Sequence, residues 1–161
     1  MSESTLRFTL ALVGKGWLEA SLSDGANQAM ITASYLSNAI TELLLICTSL
    51  VEGAQEGQCI WKEEPGEYRW LFTGHEEQIK IRVLWFNGSI THRPDEEGEC
   101  KISIECSLLK FATKLKTQLD QLLKIWGIEG YKKEWGYAFP QVELEKLRLL
   151  LKEKRDQASY L

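Results

Sequence analysis

The chain has 161 residues, of which 44% are hydrophobic and 26% charged, and its formal net charge at pH 7 is −4. This composition excludes disordered and fibrous proteins and fits one globular domain covering residues 1–161. No apolar run reaches the roughly eighteen residues that cross a bilayer, and the first residues lack the basic and apolar regions of a signal peptide. The sequence therefore predicts a cytoplasmic protein without membrane contact.

Charge is divided unevenly along the chain. Residues 1–100 carry 7 basic and 15 acidic side chains, whereas residues 101–161 carry 12 basic and 8 acidic side chains. Opposite charges on the two halves can attract each other within one molecule or between two copies. The negative overall sign disfavours nucleic-acid binding, which usually requires a basic surface.

Two strands are predicted at the start of the chain. Apolar and polar residues alternate through "LRFTLALV" and again through "WLEASLS", with Gly14-Lys15-Gly16 as a hairpin turn between them. The turn predicts that Leu12 faces Leu18 and that Phe8 faces Leu22. Asp24 and Asn27 then resemble helix caps, so a long helix is predicted from the "SDGAN" loop to Gly53.

The stretch "WKEEPGEYRW" predicts a second hairpin with Pro65-Gly66 as its turn. A two-residue turn places Trp61 opposite Trp70, although a wider turn would shift this register. The opposite side of the hairpin, with Lys62, Glu64, Glu67 and Arg69, is expected to face water.

Two further strands and two helices complete the predicted order β-β-α-β-β-β-β-α-α. "GHEE" is read as the next hairpin loop, residues 78–86 and "CKISIECS" as strands, and "NGSITHRPDEEGE" as a long polar loop between them. The spacing from Leu108 to Trp126 predicts a helix ended by Gly127, and another helix begins after Pro140. We expect an α+β domain of two layers, with a curved antiparallel sheet of about six strands and helices packed on one face.

No constellation of residues predicts a reaction, a metal site or a cofactor. The four cysteines form no Cys-x-x-Cys pair and the two histidines lie far from them, which disfavours zinc and indicates free thiols. The acidic clusters near residues 63–67 and 95–99 fit solvated turns better than a pair of catalytic carboxylates with distinct environments. Enzymatic activity therefore stays undecided, with a non-catalytic protein favoured.

Aromatic residues supply the candidate contacts. One set lies on the predicted sheet and the other in the segment "YKKEWGYAF", predicted as an irregular loop that either closes the core or anchors a partner. His92 and Arg93 in the long polar loop are weaker candidates for the same role. The seven candidates for partner or ligand contact are Trp61, Tyr68, Trp70, Trp85, Tyr131, Trp135 and Tyr137.

Two functions follow from this pattern. The first is a small protein-interaction module that binds a protein partner or a second copy of itself. The alternative is a small-molecule carrier or an enzyme that uses a groove lined by the sheet aromatics beneath the long helix.

Overall fold

The chain forms more strands than were predicted from its alternation of apolar and polar residues. The computed structural model describes residues 5–159. Its elements, in chain order, are β1 (Arg7–Gly14), β2 (Trp17–Ser23), β3 (Gln28–Ser34), α1 (Ala39–Val51), β4 (Glu56–Lys62), β5 (Glu67–His75), β6 (Gln78–Phe86), β7 (Glu99–Ser107), α2 (Leu108–Trp135) and α3 (Gln141–Ala158). Strands β1-β2-β3 form one antiparallel sheet and strands β4-β5-β6-β7 form another. The predicted α+β class is confirmed, with seven strands in two sheets where the sequence predicted about six in one.

The first hairpin has the predicted register. Leu12 pairs with Leu18 and Phe8 with Leu22, so the apolar side chains of β1 and β2 share one face. The predicted three-residue turn is wrong, because a register shift between Leu12 and Gly14 pairs Gly14 with Trp17 and leaves Lys15-Gly16 as the turn. The pairs further from the turn keep their predicted register, so the predicted apolar face joins the core.

The predicted start of the first helix is wrong. Residues 28–34 form β3, in which Ile31 and Ala33 are fully buried, and the helix begins at Ala39. Asp24 acts in a turn between strands, where its carboxylate accepts hydrogen bonds from the backbone N–H groups of Ala26 (3.0 Å) and Asn27 (2.7 Å). Aspartate satisfies free N–H groups equally well in such turns and at helix starts, which explains the wrong prediction.

The register predicted for the second hairpin is wrong by two residues. Lys62 pairs with Glu67 and Trp61 with Tyr68, because the turn spans Glu63–Gly66 and is closed by Glu63 N donating to Gly66 O at 2.9 Å. A shift of two keeps every side chain on its predicted face, since the side-chain period of a strand is two residues. Trp61 and Trp70 still touch, along the diagonal of the ladder, with ring centroids 4.9 Å apart.

The next hairpin is tighter than the predicted "GHEE" loop. His75 pairs with Gln78, which leaves Glu76 and Glu77 as the turn and again moves the register by two residues. The apolar face is preserved for the same reason.

The predicted end of the second helix at Gly127 is confirmed, but a further helical segment that the sequence did not predict follows it. Gly127 has φ 73° and ψ 173°, which are not helical angles, so α2 consists of two helical segments that meet at a kink there, and the second segment reaches Trp135. Tyr131 and Trp135, four residues apart, therefore share the buried face of a helical turn. The first five residues of "YKKEWGYAF" are thus helical where the sequence predicted a loop, and the connection to α3 begins at Gly136.

Aromatic rings join the two sheets to α2. Phe8 of the first sheet contacts Trp70 of the second sheet (6.3 Å between centroids) and Phe111 of α2 (5.3 Å). Phe72 contacts both Trp70 (6.1 Å) and Phe111 (6.0 Å). This aromatic cluster forms the centre of the hydrophobic core, because each ring touches rings from other elements.

Replacing Trp70 with alanine should lower the free energy of unfolding by about 3–5 kcal/mol, the usual cost of removing a large buried ring. Equilibrium urea denaturation measures the change. Val142→Ala is the control, since Val142 is 80% exposed and its truncation should change stability by less than about 0.5 kcal/mol. A similar small loss for Trp70→Ala would contradict the central position of the ring.

Candidate functional site

The seven predicted contact residues fall into two groups by burial. The indoles of Trp61, Trp70 and Trp135 and the ring of Tyr131 are fully buried. The other three, Tyr68, Trp85 and Tyr137, are partly exposed. The structure does not bring the seven residues to one surface, and their role as contacts stays a prediction.

The predicted aromatic groove beneath the first helix is filled. Trp61 and Trp70 pack against each other, and the facing side of α1 buries Ile40, Leu43 and Leu44 completely. A ligand at this position would have to displace packed side chains, which costs more than entering a preformed cavity.

Exposed apolar side chains gather at the tip of the first hairpin. We define the hairpin-end surface as Val13, Trp17, Tyr35, Leu36 and Tyr137. Val13, Tyr35 and Leu36 are 50%, 52% and 55% exposed, and the other two side chains are partly exposed. Sequence analysis identified Tyr137 alone among these five, because Tyr35 and Leu36 were assigned to a helix and Trp17 and Val13 to a strand.

Direct contacts hold the hairpin-end surface in place. The Tyr137 hydroxyl donates a hydrogen bond to the Tyr35 carbonyl oxygen (2.6 Å), and Gly16 N donates to the Glu134 carbonyl oxygen (2.7 Å). Gly16 has φ +79°, and a Cβ atom there would lie 2.7 Å from the Tyr35 ring. The glycine turn, the segment after β3 and the end of α2 are therefore closely packed at this surface.

An acidic cleft lies beside Leu36. It has a volume of about 360 Å³, and its walls come from Leu36, from residues 62–67 and from Gly88, Ser89 and Thr91. Glu67 is buried in this wall and is paired with Lys62 (2.8 Å), whereas the side chain of Glu64 is exposed. Glu63 accepts hydrogen bonds from the Thr32 hydroxyl and from Glu64 N (3.0 Å).

Tyr68 and Trp85 form a partly exposed ring pair behind the cleft, with centroids 4.7 Å apart. Burial raises the pKa of the Tyr68 phenol, and the nearby negative charge of Glu63 raises it further. The phenol therefore stays protonated at neutral pH and can both donate and accept a hydrogen bond.

Part of the outer face of the second sheet is covered, which corrects the expectation that Glu67 and Arg69 face water, whereas Thr73 and Lys80 on the same face are exposed. Residues 87–98, here called the strap, cross this face, and Arg69 and Glu67 beneath it are buried. The Arg69 guanidinium lies over the Phe86 ring (4.3 Å) and donates to Asp95 Oδ1 of the strap (2.6 Å). The signal for this cover was present in the sequence, since Leu84 and Phe86 are apolar residues on the face assigned to water.

The strap also positions the two weaker candidates of the polar loop. Arg93 lies over the Phe86 ring at 5.4 Å and donates a hydrogen bond to the Asn87 carbonyl oxygen, whereas His92 is exposed. A shallow cavity of about 470 Å³ borders the strap at Asp95 and includes Gln58, Leu71 and Arg82 of the sheet. Its mixed charges select no particular ligand.

Comparisons with protein-family models, with curated proteins and with solved structures found no match to this chain. Within residues 5–159, none of the helices has the length and apolar character needed to cross a membrane. The same residues contain no group of three or more histidine, cysteine, aspartate or glutamate side chains arranged to hold a metal ion.

The cysteines differ sharply in exposure. All four are free, with Cys47 and Cys59 buried, Cys106 partly buried and Cys100 exposed. Burial raises the pKa of the Cys47 and Cys106 thiols to about 12 and also raises the pKa of Cys59. Because the thiolate is the reactive form, these three thiols should be inert in the folded protein.

Titration with a chromogenic disulfide reagent at mildly alkaline pH should reveal one rapidly reacting thiol, Cys100, and three that react after unfolding in urea. The buried thiols are slow because their raised pKa values leave almost no thiolate at that pH. Cys100→Ser should remove the fast phase. Fast reaction of any thiol in the folded Cys100→Ser protein would contradict the burial described here.

Gly66→Ala should destabilise the fold more than Gly53→Ala. A Cβ at Gly66 would overlap the Trp85 ring and lie 2.8 Å from the Phe86 carbonyl oxygen, whereas a Cβ at Gly53 meets nothing within 4 Å. Both glycines have positive φ (+97° and +115°), so backbone strain is matched between the two variants. The expected difference is about 1–3 kcal/mol in urea denaturation, and equal losses would show that Trp85 does not pack on the turn.

Proposed function

We propose that this protein is a protein-interaction module and that the hairpin-end surface is its docking site. The observation that carries the proposal is the grouping of half-exposed Val13, Tyr35 and Leu36 with the rings of Trp17 and Tyr137 at one end of the fold. Contiguous apolar groups on a protein surface commonly mark interaction sites, and aromatic residues dominate their binding energy.

The fixed geometry of the rings supports the same proposal. The Tyr137 ring is fixed by the hydrogen bond from its hydroxyl to the Tyr35 backbone carbonyl oxygen, and the Tyr35 ring packs on the Gly16 turn. A side chain that is already ordered loses little conformational entropy when a partner covers it. Binding energy at this surface therefore comes from contacts that need little rearrangement.

The alternative of a small-molecule carrier or enzyme receives less support from the geometry. The aromatic interior that would line its groove is packed with Trp61, Trp70 and the buried side of α1. The cleft beside Leu36 and the cavity beside the strap are open to solvent and have charged side chains in their walls, whereas small-molecule sites usually enclose most of their ligand in an apolar cavity.

We further propose that the protein acts in the cytoplasm. The support is chemical: its four cysteines are free thiols, the form that persists in a reducing compartment. Alkylation of intact cells before lysis should then modify the exposed thiol of Cys100.

The docking site can be tested by photo-crosslinking in cells. A photoreactive phenylalanine analogue at Tyr35 should join the protein to another polypeptide, because a bound partner covers this position. The matched control places the same analogue at Val142 of α3, which is more exposed and is not one of the five residues of the hairpin-end surface. Mass spectrometry then identifies the crosslinked chain.

The proposal fails if neither position, or both positions equally, yield a crosslinked protein. A metabolite that raises the melting temperature by several degrees and quenches tryptophan fluorescence would instead establish the small-molecule alternative.

A further inference from the structure

The charges around the hairpin-end surface differ at its two ends. At the Leu36 end, the cleft carries the carboxylates of Glu63, Glu64 and Glu67 with one cation, Lys62, which is paired with Glu67. Glu64 is exposed and forms no ion pair within residues 5–159. This end of the surface is therefore acidic.

The other end carries cations. Lys15 is exposed at the hairpin tip, next to the Gly16 turn that packs on Tyr35. The last turn of α2, whose Glu134 carbonyl oxygen accepts from Gly16 N, adds exposed Lys132 and Lys133 and the half-buried side chain of Glu134, so the net charge of this end is positive. None of these three lysines has an ion-pair partner in the part of the chain that the structure describes.

We infer that the hairpin-end surface binds a second copy of this chain about a two-fold axis, with the acidic end of each copy against the Lys15 end of the other. This inference rests on the proposed function, whose docking site it uses, and it names the partner. A two-fold interface brings the same patch of both subunits together, so a patch with an apolar centre and opposite charges at its ends is complementary to itself.

The apolar centre and the charged ends have separate roles in this dimer. Tyr35 and Leu36, each more than half exposed, supply the area removed from water on association. The unpaired Glu64 and Lys15 supply attraction between the copies and fix their relative orientation. A partner that was acidic throughout or basic throughout would meet repulsion at one end of the surface.

Sedimentation velocity of the full chain at micromolar concentrations tests the inference. The wild-type protein should sediment as a dimer that dissociates on dilution. Leu36→Asp should raise the dimer dissociation constant by about 100-fold or more, because it places a charge in the apolar centre. Val142→Asp, the control at an exposed valine outside the surface, should leave the dissociation constant unchanged.

Reversing the charges at the two ends gives a sharper test, because it leaves the apolar centre of the surface unchanged. Lys15→Glu and Glu64→Lys should each weaken the dimer by about tenfold through like-charge repulsion. The double variant, Lys15→Glu with Glu64→Lys, should recover most of the wild-type affinity because the charges are exchanged between the copies. Thermal unfolding of each variant verifies that the exposed substitutions leave the monomer folded.

Three results would overturn the dimer. They are a monomer at every concentration, a dimer indifferent to Leu36→Asp, and a double variant weaker than both single variants. A monomer that still crosslinks to a different protein through Tyr35 would overturn the dimer but keep the proposed function. A dimer that responds as described, with its own chain crosslinked at Tyr35, supports both.

Discussion

The contact of Phe8 with Trp70 and Phe111 is the interaction on which the rest of the structure depends. Phe8 comes from the first sheet, Trp70 from the second and Phe111 from α2, so these rings join all three parts of the fold. Aromatic rings bury large areas, and their edge-to-face and tilted contacts fix relative orientation as well as distance. With the centre filled in this way, the surfaces available to partners are those at the periphery.

The position of the hairpin-end surface follows from the contact between the first hairpin and the end of α2. The tip of the first hairpin meets the end of α2 through Gly16 and Glu134, and this contact leaves the residues between β3 and α1 on the outside. Tyr35 and Leu36 lie there because the connection between the strand and the helix is short. Their exposure therefore follows from chain connectivity. Acidic side chains on one side of them and lysines on the other make the two ends of the hairpin-end surface opposite in charge.

Much of the fold was predictable from local sequence, as the strands around Trp61 and Trp70 illustrate. Period-two alternation assigned both indoles to the correct face, although the hairpin register was wrong by two residues. The error arose at Pro65-Gly66, where the turn took four residues in place of two, and an even shift leaves the faces unchanged. The strand β3 was missed because the Asp24 carboxylate accepts backbone hydrogen bonds in a turn, from Ala26 and Asn27, of the same kind that it would accept at the start of a helix.

The sequence by itself determined the α+β class, the apolar faces of six strands and the aromatic composition of the core, because these depend on side-chain periodicity within short segments. The tertiary structure alone decided that the strap covers Arg69 and Phe86, that Trp135 is buried while Tyr35 is exposed, and that Lys15 and Glu64 stand at opposite ends of one surface. These features join residues far apart in the chain. Local periodicity carries no information about which distant segments come into contact. Those contacts are fixed when the two sheets and α2 pack together.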